Sequence, residues 1–313
     1  MNPCHACGKP ITSGDHLYHS ACSTKLFGRR AVPALHFSMD DLNQLAEKIV
    51  RHSVTVPGVQ PKLSLHLERG DGPGGARLTI VGLEGAFILK PPSSHYPDMP
   101  QLEHYTMQIA ASTGLEVASC GLIPLADGAL AYVTRRMDRT TTGKLHMEDM
   151  CQLTDKLTEQ KYRGSMEQVG KAVRRFSSNS GFDTVRLFEL TLFCFATGNA
   201  DMHLKNFSLL HETDGMIRLA PAYDLLPTKL LIPEDREEIA LPLNGKKNRI
   251  RRADFDAFGK SLRLTERQMV NAYARLQRNL MKAIAETPAP FVTIEHQNQF
   301  NELVGQRLKR LQA

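Results

Sequence analysis

The sequence lacks long apolar runs and has little excess charge of either sign. None of its apolar stretches approaches about 18 residues, the length at which a membrane-spanning helix becomes the first interpretation. The start of the chain also lacks the apolar segment of a secretory signal peptide, so we expect a cytoplasmic protein. The net charge of +6, from 39 basic and 33 acidic side chains, permits binding of nucleotide or nucleic acid but requires neither.

The composition is that of an ordinary globular protein. Hydrophobic residues make up 42% of the chain and charged residues 23%, which excludes a disordered chain. At 313 residues it can bury one large core or two lobes. Short alternating segments predict strands in the first half. Beyond residue 145 helical periodicity dominates, beginning with a predicted helix over 148–153, and this order predicts an α+β fold.

One polar stretch, residues 198–207, carries side chains that phosphoryl transfer requires. Asp201 and Asn206 show the D-x4-N spacing of the catalytic aspartate and metal-binding asparagine in protein kinases. The turn residues that follow predict a β-hairpin, which would return Asp224 to the side of Asn206. A carboxylate and an amide oxygen at one point suit Mg²⁺ bound to nucleotide phosphates.

A solvated polar loop before an ordinary hairpin is the alternative, since Asp and Asn are common turn residues. His203 and Lys205 lie in the same stretch, and the segment before it is strongly apolar. The combination favours a catalytic loop.

A cluster of cysteines near the start of the chain predicts a metal site. The pattern C-x2-C-x11-H-x2-C supplies three thiolates and an imidazole, from Cys4, Cys7, His19 and Cys22. Such a closed set is typical of a structural tetrahedral zinc site. His5 and His16 are possible substitutes for His19, and a leader with incidental cysteines is the alternative.

The first half offers weaker candidates for nucleotide binding. Lys90 ends a predicted strand and Glu103 opens a predicted helix over 103–113, so the two could pair as a strand lysine and a helix glutamate do in kinases. Gly58 lies in a turn where a phosphate could approach the backbone. A solvated strand-end charge, an acid favoured by the helix dipole and a simple turn are the alternatives.

Several of these segments resemble the HipA family of bacterial serine/threonine kinase toxins. The resemblance covers roughly residues 50–310 and is most specific in the catalytic loop. The matching segments are Val56–Gln60 with Lys62, Phe87–Lys90, Arg136–Arg139, His146–Gln152, Lys161–Tyr162, Gly198–Ser208, Tyr223–Leu225 and Leu243–Lys246.

The resemblance implies a role for each matching residue. It makes Asp201 the catalytic aspartate, assisted by His203 and Lys205, with Asn206 and Asp224 as the Mg²⁺ ligands. The residues implied to contact ATP are Gly58, Gln60, Lys62, Lys90 and Tyr223. The backbone of Arg135 and Met137 is implied to face adenine, Asp138 to meet the ribose, and His203 to lie by the phosphates. Thr55 matches the autophosphorylated serine of the family, with Ser53 nearby.

The resemblance also implies a two-lobed protein-kinase-like fold. We expect a zinc-knuckle leader at residues 1–35, a β-rich N-lobe at 36–135 and a helical C-lobe at 136–313. Because the knuckle lies outside the implied ATP site, a chain beginning near residue 36 is expected to stay active.

The implied function is an ATP- and Mg²⁺-dependent serine/threonine protein kinase acting as the toxin of a HipBA- or HipBST-type toxin–antitoxin system. Characterised relatives phosphorylate aminoacyl-tRNA synthetases, so a synthetase is the implied substrate. We expect the compact, HipT-like form, with a separate HipS-like protein and a HipB-like antitoxin through which alone it meets DNA. The alternatives are a small-molecule kinase and an inactive zinc-bearing module that binds nucleic acid or an antitoxin.

Overall fold

The computed structural model describes residues 2–12, 17–50, 62–70, 75–81, 84–93, 95–140 and 143–312. The chain divides into two compact units. The first contains Met1–Tyr105, Ala118–Arg136 and Pro288–Val292, and the second contains Thr106–Val117, Met137–Thr287 and Thr293–Ala313. Among the described residues, no helix is both long and apolar enough to cross a membrane.

The first unit is built on a five-stranded antiparallel sheet in the order β2-β1-β3-β5-β4. The strands are β1 (Leu63–Arg69), β2 (Ala76–Val81), β3 (Phe87–Lys90), β4 (Cys120–Pro124) and β5 (Leu130–Arg135). Two helices, α1 (Ser20–Phe27) and α2 (Met39–Val50), precede the sheet in the chain. Alternation along β1 buries Leu63 and Leu65, so one face of the sheet forms the core.

The leader belongs to that core. Its buried side chains Tyr18, Leu26 and Phe27 lie in one cluster with strand residues such as Phe87 and Val133. Sequence analysis did not predict α1, because an eight-residue helix with few apolar residues gives little periodic signal. Tertiary packing stabilises it instead.

Helix α3 (Met99–Thr113) begins four residues before the predicted start at Glu103. Its first turn contains Pro100, which is tolerated there because the first helical N–H groups have no partner within the helix. The boundary between the two units falls inside this helix, after Tyr105.

The second unit is mainly helical. Its helices are α4 (Met150–Leu153), α5 (Met166–Phe176), α6 (Ser180–Ala196), α7 (Thr228–Leu231), α8 (Arg252–Ser261), α9 (Glu266–Glu286) and α10 (Ile294–Gln312). The apolar helix α6 forms its centre, where the ring of Phe188 packs against Phe255, Phe258 and Tyr273. The chain as a whole is therefore a mixed α/β protein.

A small antiparallel sheet completes the second unit, with strands β6 (Met147–Asp149), β7 (Ser208–His211) and β8 (Ile217–Leu219). The predicted hairpin after Asn206 is confirmed as β7–β8. The predicted helix over 148–153 is wrong in its first part, because Met147–Asp149 pair with β7 instead. The extended backbone of Asp149 lets its carboxylate accept the N–H of Gln152 and cap the short α4.

Candidate active site

The polar stretch 198–207 forms the loop between α6 and β7. It opens at Gly198, whose φ of +72° favours glycine. A Cβ placed there would lie 2.5 Å from Cδ2 of Leu303, so a side chain has little room. A 3₁₀ turn, Leu204–Asn206, closes the loop before the sheet begins.

Hydrogen bonds hold Asp201, Asn206 and Asp224 in one network. The side-chain amide of Asn206 donates to the carbonyl oxygen of Asp201 at 3.1 Å, which leaves its amide oxygen as the atom able to bind a cation. Asn199 accepts the N–H of Asp201 at 3.1 Å and donates to the carbonyl oxygen of Asp224 at 3.4 Å. The three predicted residues are thus brought together.

Tyr223 fixes the return of the chain at Asp224. Its hydroxyl lies 2.8 Å from the carbonyl oxygen of Lys205 and 2.7 Å from the hydroxyl of Ser208. Burial raises the pKa of Tyr223, so the hydroxyl stays protonated and can donate. Asp224 itself has a φ of +60°, a conformation that costs energy for a non-glycine residue and is concentrated at functional sites.

Lys205 and His203 are held within the second unit. The Lys205 amine lies 2.6 Å from Oδ2 of Asp149, the residue that caps α4. His203 is 7% exposed, and its ring meets that of Tyr162 edge-on at 5.2 Å between centroids. Lys205 therefore connects the loop to β6, while His203 is buried against Tyr162.

Tyr162 is a site residue that the sequence did not predict. Its hydroxyl donates to Oδ1 of the exposed Asp201 at 2.7 Å. Burial and this bond raise the pKa of Tyr162, which keeps the hydroxyl a donor. The only signal for it was its place in one of the segments that resemble the HipA family.

The first unit holds the predicted lysine–glutamate pair. The Lys90 amine lies 2.6 Å from Oε1 of Glu103, and the two side chains are only 5% and 1% exposed. The amine also lies 5.4 Å from the centroid of the Tyr132 ring. Because burying two charges costs several kcal/mol, about as much as their attraction returns, stability alone gives little reason for such a pair.

The other residues predicted from the family resemblance lie in different environments. Lys62 is exposed immediately before β1. The backbone N–H of Arg135 donates to Ser119 at 2.9 Å and so is already bonded. Asp138 is buried, with its carboxylate 3.6 Å from the guanidinium of Arg139. Gly58, Gln60, Ser53 and Thr55 lie outside the described residues, and Met137 opens a segment of the second unit.

The four predicted zinc ligands come together in the first unit. Their ligand atoms all lie within 4.8 Å of one another, and Nδ1 of His19 lies 3.4 Å from the sulfur of Cys7 and 4.0 Å from that of Cys22. Tetrahedral zinc with bonds of about 2.0–2.3 Å separates its ligands by roughly 3.5 Å, so this donor set fits the ion with little movement. His5 is not part of the cluster, and His16 lies outside the described residues.

The surroundings of the cluster also suit a metal. Nε2 of His19 lies 3.1 Å from the carbonyl oxygen of Pro10, which fixes the proton there and leaves Nδ1 as the ligand atom. Burial and the nearby Cys4 and Cys7 raise the pKa of Cys22 to about 12. A bound metal ion would therefore have to displace the proton of Cys22 for all three sulfurs to act as thiolate ligands.

Comparison with known proteins decides the family. The model of the HipA-like C-terminal domain matches residues 54–284, most of the chain. The chain belongs to this family. The resemblance to the HipA family predicted from the sequence is thereby confirmed.

Curated relatives carry kinase names. The chain is 28% identical over 272 residues to "Putative kinase Y4mE" and 33% identical over 186 residues to "Putative kinase Y4dM", both of Sinorhizobium fredii. It is 28% identical over 260 residues to the serine/threonine-protein kinase toxin HipA of Shewanella oneidensis. These matches cover 82%, 56% and 74% of this chain, but only 63%, 45% and 57% of the relatives.

Two solved structures share the fold. The HipA of Shewanella oneidensis MR-1, solved with HipB and operator DNA, superposes with a TM-score of 0.70 at 22% identity, over 89% of this chain and 71% of that one. The Helicobacter pylori proinflammatory kinase CtkA gives a TM-score of 0.52 at 16% identity, over 79% of this chain and 93% of that one.

Proposed function

We propose that the chain is an ATP- and Mg²⁺-dependent serine/threonine protein kinase that acts as a HipA-like toxin. The observation that carries the proposal is the hydrogen-bonded network of Asp201, Asn206 and Asp224, in a chain that belongs to this family. Phosphoryl transfer needs positioning and charge stabilisation more than covalent chemistry from the protein, and these residues supply both.

Each of these residues has a separate role. Asp201 orients the acceptor hydroxyl and accepts its proton, while Asn206 and Asp224 offer the oxygens that hold Mg²⁺. Lys90, kept in place by Glu103, binds phosphate oxygens. ATP would supply the phosphoryl group, and Mg²⁺ would neutralise its charge.

The proposed partners follow from the relatives. A HipB-like antitoxin is supported by the HipA relative that was solved with HipB and operator DNA. We extend the proposal to a HipBA- or HipBST-type system with a HipS-like protein, and to an aminoacyl-tRNA synthetase as the substrate. This extension depends on the family resemblance alone.

Nucleotide binding tests the division of roles. Asp201→Ala should keep the affinity for Mg²⁺-ATP within about twofold, whereas Asp224→Ala should weaken it by about tenfold or more, because only Asp224 binds the metal on the nucleotide. Calorimetric titration measures both variants. Equal losses of affinity would overturn the assignment, and a parent protein that binds no nucleotide would overturn the kinase proposal itself.

A structural zinc at Cys4, Cys7, His19 and Cys22 is the second part of the proposal. We expect one Zn²⁺ per chain as purified, measured by elemental analysis of protein prepared without chelator. Cys4→Ser and Cys22→Ser should lose it, whereas Cys151→Ser, at a buried cysteine outside the cluster, should keep it. A parent protein without zinc would disprove this part.

A further inference from the structure

The backbone of the cysteine knuckle touches helix α3. Ala6 lies between Cys4 and Cys7, and its carbonyl oxygen is 3.1 Å from Nε2 of His104. A carbonyl oxygen can only accept, so Nε2 carries the proton and donates. His104 is 5% exposed, which makes this a buried contact between the knuckle and the helix.

His104 stands next to Glu103, the glutamate that holds Lys90. A helix moves as a rigid element, so the position of His104 fixes that of Glu103. The carboxylate of Glu103 reaches the Lys90 amine at 2.6 Å. The knuckle is therefore connected to the glutamate side of the ion pair through one buried hydrogen bond and the backbone that joins His104 to its neighbour Glu103.

A second connection reaches the lysine side of the same pair. The carbonyl oxygen of His5, also within the knuckle, accepts the N–H of Leu122 on β4 at 2.9 Å. The Tyr18 hydroxyl donates to the carbonyl oxygen of Leu122 at 2.7 Å. The sheet register then aligns Leu122 with Tyr132 on β5, and Tyr132 with Lys90 on β3.

Both connections start from residues between or beside the zinc ligands. The loop from Cys4 to Cys7, which supplies the carbonyl oxygens of His5 and Ala6, has no large apolar side chain of its own, so we expect the metal ligands to hold its conformation. Loss of the ion would therefore release both contacts at once, the one to α3 and the one to the edge of the sheet.

We propose that metal binding at Cys4, Cys7, His19 and Cys22 positions the Lys90–Glu103 ion pair, with His104 as the positioning residue on the glutamate side. The metal site thereby controls nucleotide binding at Lys90, and this part of the inference rests on the proposed kinase function. The positioning of the helix does not depend on that function.

Hydrogen exchange in the full-length chain tests the positioning step. Removing zinc with a chelator should speed exchange in residues 99–113 by about tenfold, the scale of one buried hydrogen bond, while residues 266–286 of the second unit stay unchanged. Unchanged exchange in α3 would overturn the proposal. Equal acceleration in both segments would also overturn it, because it would indicate general unfolding.

Replacing His104 tests its hydrogen bond to Ala6 without removing the metal. With zinc bound, His104→Phe keeps a ring but no donor, so it should reproduce the faster exchange of α3 and weaken Mg²⁺-ATP binding about tenfold. His104→Gln retains an N–H that can reach Ala6 and should restore both. His66→Phe, at an exposed histidine of β1, is the matched control. A His104→Phe protein equal to the parent in exchange would contradict the proposal, and if the parent binds no nucleotide, the exchange measurement alone decides.

A second cluster, on the small sheet, is independent of the first. The pairing of Met147 with Leu210 places His146 opposite His211, and Glu148 follows two residues on, on the same face. One carboxylate oxygen of Glu148 lies 3.2 Å from Nε2 of His146 and 3.5 Å from Nε2 of His211. The two imidazole centroids are 4.6 Å apart.

These separations fit a metal coordination sphere. Two ligands on tetrahedral zinc with bonds of about 2.0–2.1 Å lie roughly 3.3 Å apart. Two imidazoles and a carboxylate are hard-to-intermediate donors that suit Zn²⁺ and its neighbours in the transition series. We infer that His146, Glu148 and His211 form a second, open site for such an ion, with water as the remaining ligand.

Metal titration tests this site. The parent should take up a second equivalent of Zn²⁺ only when the ion is added, and His211→Ala and His146→Ala should each lose that equivalent while keeping the first. His66→Ala is the control at an exposed histidine. A parent that stays at one equivalent under added Zn²⁺ would show that the cluster is only a hydrogen-bonded group of side chains.

Discussion

At the scale of single residues, the bond between Tyr162 and Asp201 bears most directly on the proposed chemistry. Asp201 is exposed, so its carboxylate would be free to rotate if nothing fixed it. The Tyr162 hydroxyl fixes it by donating to Oδ1 at 2.7 Å. This leaves Oδ2 as the oxygen that can face an acceptor hydroxyl.

Removing that hydroxyl should impair turnover more than binding. We predict that Tyr162→Phe lowers kcat about tenfold, the scale of one lost hydrogen bond to a charged group, and leaves the KM for ATP within about twofold. Steady-state kinetics measure both constants, with the acceptor protein identified by labelling as the substrate. Tyr96→Phe, a tyrosine of the first unit without a role in the proposal, is the control.

The residues of the proposed chemistry were accessible from sequence because their spacing is local. Asp201 and Asn206 are separated by a single short loop, and the D-x4-N pattern records that geometry. Tyr162 lies 39 positions from Asp201, and no local pattern records their contact. The role of His104 was not predicted for the same reason, since its partner Ala6 lies 98 positions away.

At the scale of elements, non-local pairing accounts for the errors. Met147–Asp149 form a strand only because β7, about 60 residues later, offers its edge. The hairpin β7–β8 was predictable because its turn residues lie within it. Helix α1 and the start of α3 depend on packing and on the first-turn tolerance of proline, neither of which gives a periodic signal.

Helix α10 is held by a partly buried carboxylate, that of Glu238. Glu238 accepts two bonds from Arg310, at 2.7 and 2.9 Å, and lies 3.0 Å from the buried Arg307, both on α10. Burial alone would raise the pKa of Glu238, but the bonds from Arg310 and from the backbone N–H of Ile250 outweigh it and lower the pKa. The carboxylate is therefore stabilised in its charged form.

We predict that Glu238→Gln destabilises the protein by about 3–5 kcal/mol near neutral pH, because it leaves buried arginine charge unpaired. Since the pKa is lowered in the folded protein, this stabilisation is present above the unfolded pKa and is lost as pH falls through the folded one. Thermal unfolding followed by circular dichroism should show the difference shrinking toward acid pH. Glu234→Gln, at an exposed position nearby, should change little.

At the scale of the whole molecule, the leader is part of the first unit. Tyr18, Leu26 and Phe27 share the core with strand residues of the sheet. This packing supports a prediction opposite to the one made from the sequence, namely that a chain beginning near residue 36 is impaired. The sequence could not show it, because the contacts join residues about 60–110 positions apart.

Shortening the chain should therefore damage the sheet. A chain beginning at residue 36 loses several buried side chains, and the large ones, such as Leu26 and Phe27, are worth about 1.5–3 kcal/mol each, so we predict a lower melting temperature and weakened Mg²⁺-ATP binding. Zinc-depleted full-length protein keeps these side chains and loses only the metal, so any further fall in melting temperature in the shortened chain measures the lost packing. A shortened chain with the parent's melting temperature and affinity would show that the leader is dispensable.

We propose that this chain transfers the γ-phosphoryl group of ATP to a protein hydroxyl, with Asp201 as the proton acceptor. The most direct measurement incubates the purified protein with ATP labelled at the γ-phosphate and a bacterial lysate, and follows the label into protein. We predict a labelled band with the parent, and about 10²–10⁴-fold slower labelling with Asp201→Asn, which keeps the shape of the side chain but removes its proton-accepting charge. Equal labelling by the two proteins, at equal nucleotide affinity, would contradict the account.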